Sequence, residues 1–173
     1  EPEEHWCAEG SEMGALWIYN RSVKSVSISA NGEYIVAGSK FPDTDGLYLF
    51  HKDSSTPLWS YETGDSIRTI AISADGGYIA AGTTGSADKV YLFDKYSSTP
   101  LWNYTTNDGV RSVYISENGG YIVSGGEEGV YLFHNILPNN QPPTAFITSI
   151  TPNALLESLD VGSLTDNAEI HRP

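Results

Sequence analysis

The chain has 173 residues, 39% of them hydrophobic, with 17 glycines and a formal net charge of −13 from 9 basic and 22 acidic residues. This is globular material, enough for one domain and part of another, and it excludes a disordered polymer. Its negative mean field repels phosphate backbones and anionic lipid headgroups, which argues against nucleic acid as a partner.

The first predicted element is an acidic arm, residues 1–15, because Glu1, Glu3, Glu4, Glu9 and Glu12 crowd its start. The single cysteine, Cys7, cannot form an internal disulfide, so burial and sheet hydrogen bonds are expected to hold the fold. No run of eighteen apolar residues and no signal sequence are found, so this segment is expected neither to insert in a membrane nor to carry an export address.

From Leu16 the sequence repeats. Trp17, Trp59 and Trp102 lie 42 and 43 residues apart, and Gly38, Gly82 and Gly125 lie 44 and 43 apart. Each unit opens with alternating residues, Val26 and Ile28, then Ile70 and Ile72, then Val113 and Ile115, the pattern of a strand with one buried face. A tight turn follows at Asn31-Gly32, Asp75-Gly76 and Asn118-Gly119. The second strands are YIVAG, YIAAG and YIVSG from Tyr34, Tyr78 and Tyr121, whose small residues suit close packing of one unit on the next. The third strands end at Phe50, Phe93 and Phe133, and Pro57 and Pro100 open fourth strands containing LWSY and LWNY. Loops between the second and third strands vary from nine to five residues (Gly38 to Leu47, Gly82 to Val90, Gly125 to Val130), so specificity is expected there.

A period in the low forties made of four short strands predicts propeller blades. The pattern V-x-x-V-x-[IV]-S-x-x-G-x-Y-I-x-x-G, followed by Y-L-F, resembles the WD-repeat blade. Phe50, Phe93 and Phe133 stand at that family's tryptophan position, and only Phe93-Asp94 keeps its aspartate. The glycine-histidine pair and structural tetrad of eukaryotic WD repeats are missing, so the units look more like the prokaryotic and archaeal WD-like or PQQ-like repeats of surface proteins. After Phe133 a Pro/Asn linker, residues 136–143, leads into residues 144–173, where Gln141 to Asn153 resembles the opening of a PKD or other immunoglobulin-like module. The expected fold class is all-β: a partial β-propeller of about three four-stranded antiparallel blades over 16–135, then a truncated Ig-like/PKD-like β segment. Three blades do not close a ring, so further blades or self-association are expected to complete it.

The candidate binding residues follow the repeat. Lys24, Arg68 and Arg111 share one position at the start of the innermost strand. They could ring a channel mouth and hold an anionic ligand, or each could form a salt bridge within its blade, for instance to Asp65 or Asp108. Asp43 and Asp45, with Asp88, Glu127 and Glu128 in the matching loops, offer carboxylates for a partner or Ca²⁺, although aspartate before glycine is also ordinary turn chemistry. His5, His51, His134 and His171 have no zinc spacing, and Cys7 beside Trp6 and His5 lacks the elements of a catalytic pair. The repeated tryptophans and tyrosines suit either a carbohydrate-stacking surface or packing between blades. Asn20 and Asn103 fit the glycosylation acceptor pattern.

No nucleophile, acid–base pair or metal cluster recurs with the repeat. The expected function is a non-catalytic, extracellular or cell-surface scaffold with no cofactor, binding a protein or glycan through its loops. Two alternatives are implied by the resemblances: part of a PQQ-dependent dehydrogenase, whose quinone and Ca²⁺ would need an acidic-amide cluster on the inner strands, and an intracellular WD-type interaction scaffold.

Overall fold

The computed structural model describes residues 14–39 and 46–135 and the backbone of 146–147. Outside the described residues lie Trp6, Cys7, His5, His171, Asp43, Asp45, the arm up to residue 13, the linker 136–143, and all of 144–173 but 146–147.

Among the described residues twelve strands form three antiparallel sheets of four. The first sheet contains β1 (Val23–Ile28), β2 (Tyr34–Ser39), β3 (Gly46–His51) and β4 (Trp59–Glu62), in that spatial order. The second contains β5 (Ser66–Ile72), β6 (Tyr78–Thr84), β7 (Lys89–Asp94) and β8 (Trp102–Thr105), in the same order. The third contains β9 (Ser112–Ile115), β10 (Tyr121–Gly125), β11 (Val130–His134) and β12 (Phe146–Ile147). Each sheet is one blade of an all-β propeller fold, as the repeat predicts.

The edge of the third blade adds something the sequence did not reveal. Phe146–Ile147, read above as part of an immunoglobulin-like segment, pairs antiparallel with Tyr131 and Leu132, in the place that β4 and β8 occupy in the other blades. Two residues too short to register as a strand by periodicity are ordered there by a neighbouring edge that offers unpaired backbone groups.

The turns joining the first two strands are built alike. Ser29, Ser73 and Ser116 each donate from Oγ to the carboxamide or carboxylate oxygen two residues on, at 2.6, 2.7 and 2.8 Å. That oxygen also accepts the backbone N–H of residues 33, 77 and 120, and the serine Oγ accepts the N–H of Tyr34, Tyr78 and Tyr121. Gly32, Gly76 and Gly119 hold φ of 72°, 72° and 70°, a region L-residues enter only with strain. The turns also touch: Ala30 N–H donates to Ala74 C=O at 2.9 Å, and Ala74 N–H to Glu117 C=O at 3.0 Å. One backbone relay thus links all three blades.

The core lies between blades. Phe50, Phe93 and Phe133 are fully buried, each worth roughly 2–3 kcal/mol of transfer free energy. Each receives the tryptophan and tyrosine that precede its own blade: Trp17 and Tyr19 pack on Phe50, Trp59 and Tyr61 on Phe93, Trp102 and Tyr104 on Phe133. The repeated aromatics are therefore committed to packing, the second of the two readings the sequence allowed. Trp17 and Trp59 donate their indole N–H to Lys52 C=O and Lys95 C=O, at 2.7 and 3.0 Å, whereas buried Trp102 Nε1 has no partner among the described residues.

Candidate functional site

The end of the blades that carries the β2–β3 type loops also carries the three repeated cations. In β1 the pairing steps from Val23↔Ser39 to Ser25↔Gly38, and in β5 from Ile67↔Thr83 to Thr69↔Gly82, so Lys24 and Arg68 are the extra residues of β-bulges. A bulge bends its strand and re-aims one side chain. Both cations are exposed on the innermost strand, Arg68 between buried Ile67 and half-buried Thr69, Lys24 between exposed Val23 and half-buried Ser25. Arg111 occupies the same place ahead of β9, exposed, with its N–H donated to Gly125 C=O at 2.8 Å.

The first two of these loops are held shut at their base. Ser39 Oγ accepts Gly46 N–H at 2.8 Å and donates to Gly46 C=O, and Thr83 Oγ1 does the same to Lys89 at 2.9 and 3.3 Å. Both hydroxyls are fully buried. They were not singled out in the sequence, although a hydroxyl directly after the repeated glycine, Gly38-Ser39 and Gly82-Thr83, is the signal that could have found them.

Asp65 has a different role from the expected partner of an arginine. Its carboxylate accepts Ser86 N–H at 2.7 Å, Ser86 Oγ–H at 3.0 Å and Ala87 N–H at 3.1 Å. Those bonds, the Ser86 backbone first, hold its pKa below the usual carboxylate value against the opposing effect of burial. Asp108 likewise takes the N–H groups of Gly109 and Glu127. These aspartates tie the loops of the second and third blades to the turn before β5 and β9.

The predicted acids divide accordingly. Asp88 is half-buried and accepts Gly85 N–H at 2.9 Å, so it closes its own loop. Glu127 forms an ion pair with Arg111, and Glu128 is exposed beside it. Asp43 and Asp45 lie outside the described residues. Among the described residues no group of three or more histidine, cysteine or acidic side chains could hold a metal ion. Arg68 has no ion pair with a described residue, so its guanidinium projects from the bulge beside a loop whose aspartate is already spent on backbone N–H groups. At the opposite end a depression lined by Ala74, Asp75, Ser116, Glu117, Asn118 and Tyr121 has its Ser116 and Asp75 polar groups committed to the turns.

This is a propeller-blade architecture with an exposed cation at one end of each inner strand, on a bulge in the first two blades and just ahead of the strand in the third. Residues 98–133 match the WD40 family, described as WD domain, G-beta repeat. Among solved structures the chain is similar to the Myceliophteria thermophila Cps50 (Swd1) β-propeller domain, with TM-score 0.60 and 14% identity over 70% of this chain and 38% of that one. It is also similar to the RRP9 WD40 repeats, with TM-score 0.58 and 17% identity over 69% of this chain and 37% of that one. A third likeness, to Kuenenia stuttgartiensis hydrazine synthase, has TM-score 0.57 and 10% identity over 66% of this chain and 33% of that one. The chain thus spans between 33% and 38% of the length of these structures. At such identities they establish the propeller fold. No curated protein matches.

Proposed function

We propose that this chain is part of a non-catalytic binding scaffold, cell-surface or secreted, that engages a protein partner through the loop end of its blades. The observation that carries this reading is the bulge at Lys24 and Arg68, repeated in position by Arg111. The fold spends its other repeated residues on turns and blade packing, while this position is exposed in all three blades, Arg111 beside its ion-pair partner Glu127. An acidic segment of a partner matches a row of two guanidinium groups and an ammonium, and the exposed Gly85, Ser86, Glu127 and Glu128 of the neighbouring loops supply specificity. A glycan at the same face would have to be held by loop polar groups, since the repeated aromatics are packed between blades.

The test is binding of immobilised acidic and neutral peptides, with a glycan array alongside, to the wild-type chain and to a Lys24→Glu/Arg68→Glu variant. Salt-sensitive capture of acidic peptides that drops at least about tenfold in the variant supports the reading. Equal capture by the variant, or glycan binding alone, sinks it. Thermal stabilisation by PQQ with Ca²⁺ would favour the dehydrogenase alternative instead.

The WD repeat match at residues 98–133 favours a second setting for the same activity, an intracellular interaction scaffold. Fractionation of cells expressing the full-length protein separates the two settings.

A further inference from the structure

The interfaces between blades are built from reciprocal knobs and sockets. Tyr34 of the first blade lies over Gly76 of the second, and Tyr78 of the second over Gly119 of the third, so close that a Cβ on either glycine would collide with the ring. In the other direction Ile67 of the second blade fills the space over Gly38 of the first, and Val110 of the third fills the space over Gly82 of the second. Every interface therefore has a tyrosine passing forward and an aliphatic side chain passing back.

At the two ends of the stack the same positions stand open. Val23, the counterpart of Ile67 and Val110, is 39% exposed where they are 0% and 1%. Its missing socket is Gly125, over which a Cβ would meet only Ser112 Oγ. Tyr121, the counterpart of Tyr34 and Tyr78, is exposed, and its missing socket is Gly32, over which nothing lies within 4 Å. Val26 is 68% exposed against 8% for Ile70 and 3% for Val113, and Leu132 is 45% exposed against 0% for Leu49 and Leu92. The backbone relay ends in the same sense, with Ala30 C=O on the leading face and Glu117 N–H on the trailing face.

We propose that these two faces bind one another, so that a second copy of this chain docks head to tail, its Val23 over Gly125 and its Gly32 under Tyr121. Each face is continuous in residue type and geometry with an interface the chain already makes twice, which identifies the occupant as a blade of this same repeat. A head-to-tail contact between two copies also brings the remaining pair of faces together, giving a ring of six blades, within the range of about 4–8 that closed propellers use.

Sedimentation velocity on the full chain across a wide concentration range tests this. The expected result is a discrete two-copy species, and Val23→Asp or Leu132→Glu alone each converts it to monomer. Mixing the two variants restores a two-copy species, since Val23→Asp keeps the trailing face intact and Leu132→Glu keeps the leading face. A cooperative thermal melt confirms that each variant is folded, with Val26→Asp and Tyr121→Asp as replacements on the same faces. A wild-type monomer, a spread of irregular multimers, a dimer that survives either variant, or a mixture no more associated than its parts overturns the proposal.

Discussion

The ring of Tyr34 lies across Gly76, so that a Cβ on Gly76 would stand 2.5 Å from Cδ2 of the tyrosine. The glycine answers two demands at once, a φ of 72° for its own turn and contact with the preceding blade. Gly64 answers only the first, with φ 74° and nothing within 4 Å of its absent Cβ. Gly64→Ala should therefore cost about 1 kcal/mol, the left-handed penalty alone. Gly76→Ala should cost about 2–4 kcal/mol, because a displaced ring adds an overpacking term. Urea unfolding of both variants measures the difference, and equal losses would show that the ring gives way without cost.

The three tryptophans separate packing from hydrogen bonding. Trp59→Phe removes an indole N–H bonded to Lys95 C=O, whereas Trp102→Phe removes a buried N–H without a described partner. The first substitution should cost about 1 kcal/mol more than the second. Phe93→Ala, at the centre of the contacts from Trp59, Tyr61 and Tyr91, should cost about 3–5 kcal/mol, a large share of a marginal stability of roughly 5–15 kcal/mol.

Stability should fall at both extremes of pH, for separate reasons. Asp65 and Asp75 have pKa values lowered chiefly by backbone N–H groups, of Ser86 and Gly77 respectively. Their contribution is complete above the unfolded carboxylate value of about 3.9 and is lost as pH falls through the lower folded values. Burial, then the nearby Tyr61 and Asp65, push Tyr91 up to about 12, so its contribution is complete below about pH 10 and is lost as pH rises through the folded value. Asp65→Ala should flatten the acid limb and Tyr91→Phe the alkaline limb of a stability–pH curve. If each variant keeps the wild-type limb, the attribution is wrong.

The exposed pair Arg111 and Glu127 should matter to recognition and hardly at all to folding. Arg111→Ala is expected to change unfolding free energy by less than about 1 kcal/mol, as exposed ion pairs do. The same variant should weaken capture of acidic peptides, measured beside the Lys24 and Arg68 charge reversals.

The blade could be read from sequence because its determinants are local. Alternation along Val26 and Ile28, the Asn31-Gly32 turn and the spacing to Tyr34 and Phe50 act within about thirty residues of one another, and each recurs three times. The candidate site was legible as a list of repeated charges, but not as a geometry. That Lys24 and Arg68 sit on bulges depends on their register with β2 and β6, and that Asp65 binds Ser86 and Ala87 rather than an arginine depends on a loop folding back over twenty residues later. The repeated glycines looked alike in the sequence; only the stacking of blades made Gly38, Gly76, Gly82 and Gly119 sockets and left Gly32 and Gly125 open. The sequence by itself determined the repeating unit, because strand alternation and turn chemistry are short-range. The tertiary structure alone decided what each unit presents to the next, because that depends on contacts between residues 28 to 42 apart in the chain, which no periodicity encodes.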